Sequence, residues 1–340
     1  MQASLVVQTS FLGDTVLTTP LIAELARRGP VDVVTTPAAA GLLAHSPCIR
    51  DLIPYDKRGA AAGIGGLLRL ASRLRAARYD AAYLAQGSAR SAALAFLARV
   101  PRRVGFDTSA GRWLYTERVA HRGDRHHAER LWRLAAGASA PDPDPEVVRP
   151  RLFPGDADRG AVDALLAAAP RDGAPLLALA PGSVWSTKRW PHFTALAARL
   201  APLYRLAIVG SATDRPLAAD LAAAVGAARV VDATGRLSLL ASAELIGRCV
   251  AIVTNDSAPL HLASAMDVPT VAIFGPTVPA FGFGPLATRR AIAEHPAMPC
   301  RPCDAHGPRA CPLGHWKCMR DVEPAHVFDA VLRLTPPAPR

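Results

Sequence analysis

Acidic, basic and hydroxyl side chains gather in this chain where a short apolar run passes through a polar turn into a helical pattern. The most informative such place is Ile252-Val253-Thr254-Asn255-Asp256-Ser257-Ala258-Pro259-Leu260-His261-Leu262-Ala263. Its apolar run ends in Asn-Asp-Ser, the residue types that cap helices, and Pro259 sits where a first-turn proline is tolerated. The amides of that turn, with the helix dipole behind them, point beyond the strand end and suit a diphosphate. Asp256 and His261 are about one helical turn apart and can face one ligand. A capped helix with a satisfied histidine would show the same letters.

A second such turn follows Leu5-Val6-Val7, where Gln8-Thr9-Ser10-Phe11-Leu12-Gly13-Asp14 leads into the helical pattern of Val16, Leu17, Leu21, Ile22 and Leu25. Gly13 allows close backbone approach, and Asp14 falls at a helix start, either as a functional carboxylate or as the cap itself. A third, Pro181-Gly182-Ser183-Val184-Trp185-Ser186-Thr187-Lys188-Arg189-Trp190-Pro191, looks superficially like a P-loop. Thr187 stands where the second glycine should be, and Arg189 replaces the magnesium-binding hydroxyl, so NTP hydrolysis is disfavoured. What remains is Lys188 and Arg189 ahead of a helix, placed to meet a phosphate or simply solvated. In Gly210-Ser211-Ala212-Thr213-Asp214-Arg215-Pro216, Asp214 either accepts hydrogen bonds from a ribose or caps the next helix.

Metal signatures are weak. Asp142 and Asp144 are separated by proline, and Asp156 with Asp158 sits at a helix start, so no divalent ion is expected at the reacting centre. Cys300, Cys303, Cys311 and Cys318 cluster with His306 and His315, and their types suit structural zinc. Their spacings match no common finger, and reduced thiols packing a loop, or a redox role, remain open readings.

These turns need a scaffold, and the alternation of runs supplies it. Strand-like Val31 to Thr35, Leu52 to Tyr55 and Ala81 to Ala85 alternate with Ala-, Leu- and Arg-rich helices, which implies a parallel sheet covered on both faces. The Pro-rich acidic segment Pro141 to Glu146 reads as a linker. Alternation restarts with Leu176 to Ala180, Leu206 to Val209, Val230-Val231, Ala251 to Thr254 and Thr270 to Phe274. The expected organisation is α/β: two doubly wound units, 1–150 and 151–323, then a helix in 324–340 returning toward the first unit and a disordered tail at Pro336-Pro337-Ala338-Pro339. Both sets of strand ends would then face a shared interdomain cleft, as ligands in open α/β sheets require. Neither unit carries the dinucleotide fingerprint after its first strand, because Gly63-Ile64-Gly65-Gly66 has the wrong flanks.

At 340 residues the chain is long enough for two cores, and its formal charge of +11 favours acidic partners. Only Lys57, Lys188 and Lys317 are lysines among 39 basic residues, so part of that charge is compositional. Aromatics at 6% with no interleaving disfavour nucleic acid. No uncharged run reaches membrane-spanning length and no basic leader precedes an apolar segment, so a cytoplasmic protein is expected. Leu67 to Arg75 forms a basic amphipathic helix that either covers a sheet or lies on anionic lipid. Arg99, Arg102, Arg103, Arg112, Arg118 and Arg122 form a second basic stretch, suited to an anionic acceptor or to solvent.

Gly13-Asp14-Thr15-Val16-Leu17 with Pro20, Lys188-Arg189-Trp190-Pro191, and Thr254-Asn255-Asp256-Ser257 through His261 followed by Phe274-Gly275-Pro276-Thr277 resemble the ADP-heptose:lipopolysaccharide heptosyltransferases of glycosyltransferase family 9. The likeness spans both halves, and within the family it is nearest to the heptosyltransferase II type. It implies a GT-B fold of two Rossmann-like domains and metal-independent, inverting transfer without a cofactor. ADP-heptose would be the donor and a Kdo- or heptose-bearing lipid A inner core the acceptor. The protein would work peripherally at the inner face of the inner membrane, without nucleic acid.

Carried onto this chain, the resemblance makes Asp14 the general base and Lys188 the lysine that steadies the diphosphate. It gives Gly13, Ser183, Arg189, Asp256, Ser257, Ala258 and His261 to the donor. Ala258 replaces the helix-start glycine, and Asp214 stands where a longer ribose-binding glutamate is usual. Two other readings compete: a different nucleotide-sugar enzyme of the same shape, such as an epimerase, and a noncatalytic basic binding protein.

Overall fold

Apolar runs that cannot face water on either side pair as parallel strands here, each strand delivering the chain to a helix that covers the sheet. The computed structural model describes residues 2–169 and 173–335, and the chain divides into two units, Met1–Phe153 and Pro154–Arg340. In the first unit the strands are β1 (Ser4–Gln8), β2 (Val31–Thr35), β3 (Asp51–Pro54), β4 (Ala81–Leu84), β5 (Arg102–Phe106) and β6 (Glu117–Val119). They lie in the order β3-β2-β1-β4-β5-β6, every pairing parallel. The second unit repeats the plan with β7 (Leu176–Ala180), β8 (Arg205–Ile208), β9 (Val230–Asp232), β10 (Ala251–Asn255), β11 (Thr270–Phe274) and β12 (Arg290–Glu294). Its order is β12-β11-β10-β7-β8-β9, again all parallel. Each sheet therefore reverses its winding at one place, beside β1 in the first and beside β7 in the second. In open α/β sheets such a reversal is where ligands bind, at the carboxyl ends of the strands.

Burial follows this layering. Leu5, Val7, Val34, Ile53 and Leu84 pack against Ala71 and Leu74 of helix Gly63–Ala76 and Leu94 of helix Ala89–Leu97. In the second unit Leu179, Leu206, Ile208, Val253 and Ile273 pack against Phe193, Leu196 and Leu200 of helix Phe193–Leu200. Helix Pro324–Leu334 adds Val327, Ala330 and Val331 to that same core. The apolar stripe of this helix is taken up by the second unit's own sheet. The expected disordered tail lies outside the described residues.

The Pro-rich segment is also more firmly held than a free linker. Asp142 accepts hydrogen bonds from Arg133 (2.8 Å) and Arg125 (3.0 Å), and Asp144 caps the short helix Pro145–Val148. Strands β5, β6 and β12 have no counterpart in the sequence reading, because arginine and glutamate interrupt their apolar patterns. Arg102 instead bonds Glu117 on the neighbouring β6 (2.8 Å) and Tyr83 on β4 (3.2 Å). The basic helix Gly63–Ala76 covers the first sheet with Ala71 and Leu74, while Ile64 and Leu68 stay exposed on it. Among the described residues no helix is long and apolar enough to cross a membrane.

Leu179 is fully buried at the centre of the second core. Leu179→Ala is expected to lower stability by about 2–5 kcal/mol, read as a lower urea midpoint at unchanged slope.

Candidate functional site

In the second unit the site is assembled by what lies at the ends of β7 and β10, adjacent strands in the sheet. Asn255, the last residue of β10, is fully buried; its Oδ1 accepts from the Trp190 amide (3.1 Å) and its Nδ2 donates to the Pro181 carbonyl (2.9 Å). One side chain thus ties two strand ends to the loop that carries Lys188. The next residue is Asp256, whose Oδ2 accepts from Lys188 Nζ and from Thr277 Oγ1, both at 2.7 Å. Lys188 and Asp256 are only 8% and 9% exposed, so the pair is held away from bulk water.

Lys188 closes the short turn Ser186–Lys188, and that turn is pinned from outside. Ser186 Oγ donates to the Arg309 carbonyl (2.7 Å), Thr187 Oγ1 to the Pro308 carbonyl, and Trp316 Nε1 to the Thr187 carbonyl (3.0 Å). Gly307, at φ +85°, lies against the lysine stem: a Cβ there would come within 3.2 Å of Lys188 Cε. Arg189 turns aside and donates to the Ser183 carbonyl (2.8 Å).

Ser257 is the N-cap of helix Ala258–Ala265, its backbone extended and Pro259 in the first turn. Pro259 lacks an N–H and the Leu260 amide donates to the Ser257 carbonyl (3.1 Å), while the remaining backbone amides at this helix start carry the positive end of the dipole. Ala258 leaves those amides in place, since the helix geometry needs no glycine there. His261, one turn on, is 5% exposed and packs edge-on to Phe283. Its buried Nδ1 has no hydrogen-bond partner among the described residues. Burial pushes the imidazole down to about 4, with Asp256 opposing and Lys188 assisting, so the ring is neutral near pH 7. Asp214 precedes helix Arg215–Val225 without a side-chain cap bond to it; its Oδ2 instead accepts from the Ser211 amide (2.9 Å) and hydroxyl (2.7 Å), closing the turn Ala212–Asp214. Its carboxylate lies under Gly182, where a Cβ would come within 2.4 Å of Oδ1.

In the first unit, Gly13 and Asp14 lie in helix Leu12–Leu17, directly after β1. The Ser10 hydroxyl is 2.6 Å from Asp14 Oδ2 and 2.6 Å from Gln8 Oε1, and Gln8 Nε2 reaches Thr18 Oγ1 (3.0 Å). Ser10 also lines a pocket of about 300 Å³ formed with Thr9, Phe11, Thr36, Tyr55, Lys57, Arg58 and Gln86. Lys57 donates to the Thr9 carbonyl (2.7 Å), and burial followed by the nearby Arg58 and Arg90 lowers its pKa. This pocket escaped the sequence reading. The available signal was Lys57 itself, one of only three lysines among 39 basic residues.

The second basic stretch is partly spent internally. Arg103 donates to the Leu114 and Val100 carbonyls, and Arg122 pairs with Asp124. Arg112 and Arg118 flank the exposed ring of Trp113. The four clustered cysteines are free thiols. Cys318 is buried, Cys303 Sγ donates to the Cys300 carbonyl (3.4 Å), and Cys300 Sγ is 4.0 Å from His315 Nε2. Among the described residues no three His, Cys, Asp or Glu side chains are arranged to hold a metal ion.

Comparison with known proteins adds to this geometry. Residues 67–314 match the family described as Glycosyltransferase family 9 (heptosyltransferase). The chain is 30% identical to lipopolysaccharide heptosyltransferase 2 of Salmonella typhimurium over 82% of its length and 84% of the relative's. It is 33% identical to lipopolysaccharide heptosyltransferase 1 of Pseudomonas aeruginosa, covering 88% of this chain and 85% of that one. Among solved structures, the ADP-heptose LPS heptosyltransferase II of E. coli superposes with a TM-score of 0.81 at 26% identity, covering 98% of both chains. That match shares the two-sheet GT-B architecture.

Because His261 binds its proton less readily folded than unfolded, the unfolded chain holds more protons between about pH 6.5 and 4, and stability falls as pH drops through that window. His261→Gln should flatten this dependence, measured as the difference between urea midpoints at pH 7 and pH 5.

Proposed function

The chain belongs to glycosyltransferase family 9, and from that premise we propose that it transfers heptose from ADP-heptose to the inner core of lipopolysaccharide. The observation that carries this reading is the Lys188 ammonium, held nearly out of water on the same strand ends as the helix start at Ser257 and Ala258. A buried cation beside aligned amides suits a diphosphate leaving group, whose negative charge grows as the glycosidic bond breaks. Arg189, Ser183 and the neutral His261 complete the donor site, with His261 Nδ1 as a hydrogen-bonding atom still to be satisfied. Asp214 supports the donor loop through Ser211 and Gly182.

Asp14 serves as the general base. Its carboxylate takes the proton of the acceptor hydroxyl while that oxygen bonds the anomeric carbon and ADP departs from the opposite side, inverting the configuration. The Ser10 hydrogen bond holds the carboxylate in one orientation, and Gly13 beside it leaves room for the sugar. Lys188 and the first-turn amides meet the leaving-group charge, so a divalent metal is unnecessary and transfer should persist in EDTA. The lipid acceptor places the enzyme peripherally at the cytoplasmic face of the inner membrane. Exposed Ile64 and Leu68 on the basic helix Gly63–Ala76 are suited to that contact.

The test is incubation with ADP-heptose and truncated lipopolysaccharide cores, reading ADP release and product mass. Acceptor-dependent ADP release with a product heavier by one heptose is expected. Release of free sugar without acceptor would favour the epimerase-like alternative. Asp14→Ala should lower kcat by about 10²- to 10⁴-fold while leaving ADP affinity unchanged, and near-normal turnover would remove Asp14 from the role of base.

A further inference from the structure

Thr277 follows β11 and is 2% exposed, and its hydroxyl donates to the same Asp256 oxygen that holds Lys188. Its backbone is fixed in turn: Arg301 Nη2 donates to the Thr277 carbonyl (2.9 Å) and to Glu294 (2.7 Å), with the guanidinium itself buried. Two donors therefore converge on one carboxylate oxygen, one of them a cation and the other neutral. An ammonium has three N–H bonds and can serve two anions at once, but a carboxylate losing part of its cation inside the protein needs another donor.

We propose that Thr277 is a positioning residue for donor binding. Its hydroxyl sustains the Asp256 carboxylate, which leaves Lys188 free to turn part of its charge onto a diphosphate. Without that hydroxyl, Asp256 would depend on Lys188 alone and hold it more tightly, and the diphosphate would bind a cation already committed. The inference rests on the reading of Lys188 as the diphosphate ligand. It assigns Thr277 no contact with the reacting atoms.

The experiment compares Thr277→Val, Thr277→Ser, Lys188→Met and the Thr277→Val/Lys188→Met double variant. ADP affinity is measured by calorimetry, KM and kcat with ADP-heptose, and folding by thermal unfolding. Thr277→Val should weaken ADP binding and raise the donor KM by about tenfold, with kcat changed by less than about threefold, and Thr277→Ser should restore both. In the Lys188→Met background Thr277→Val should have no further effect on ADP affinity. Unchanged KM in Thr277→Val, failure of serine to rescue, or additive losses in the double variant would each overturn the proposal. Normal ADP affinity in Lys188→Met alone would instead overturn the role given to Lys188. If only stability and the active fraction fall in Thr277→Val, its hydroxyl is structural and the proposal fails.

Discussion

The Lys188–Asp256 pair is the interaction on which the second unit's site depends. Burying two opposite charges gains little net stability against their lost hydration, but removing either one strands the other at a cost of several kcal/mol. Such a pair is weak as a staple and strict as a positioning device. Lys188 sits where Asp256 permits, and Asp256 lies where β10 ends, one residue after the side chain that knits the Trp190 loop to that strand. The ammonium therefore inherits the rigidity of a six-stranded sheet through two adjacent residues.

The two units share one strand order but use their crevices differently. In the second, cationic and amide groups cluster beside β7 and β10, and the helix after β10 has no acidic residue in its first turn. In the first, the helix after β1 carries an acid in its first turn, steadied by a hydroxyl, and the cations lie a strand or two away at Lys57 and Arg58.

Much of this was legible in the letters. Strands with continuous apolar runs, such as Leu176 to Ala180 and Thr270 to Phe274, appear where their composition requires, because burial on both faces favours apolar side chains throughout. The strands that begin with arginine were not legible. Arg102 pairs with Glu117 only after β5 and β6 lie side by side, and no local pattern announces such a pairing. The site shows the same boundary. Asp14, Lys188, Asp256 and His261 stand out by their places on strand-to-helix turns. No local pattern announced the contacts of Asp214 with Ser211 and beneath Gly182, and the pocket around Lys57 exists only where the ends of four strands meet.

Gly307 gives the lysine turn a further property. With no side chain there, the backbone at Gly307 lies close against the methylenes of Lys188, where a Cβ would come within 3.2 Å of Cε and 3.4 Å of Cγ. A stem backed in this way on one side has less room to coil, which favours an extended reach for the ammonium. A guanidinium would bring a broad, flat head on a different stem and could not take that seat with its charge at the same height. In a chain where arginine fills nearly every cationic position, lysine at 188 is dictated by shape as well as by charge.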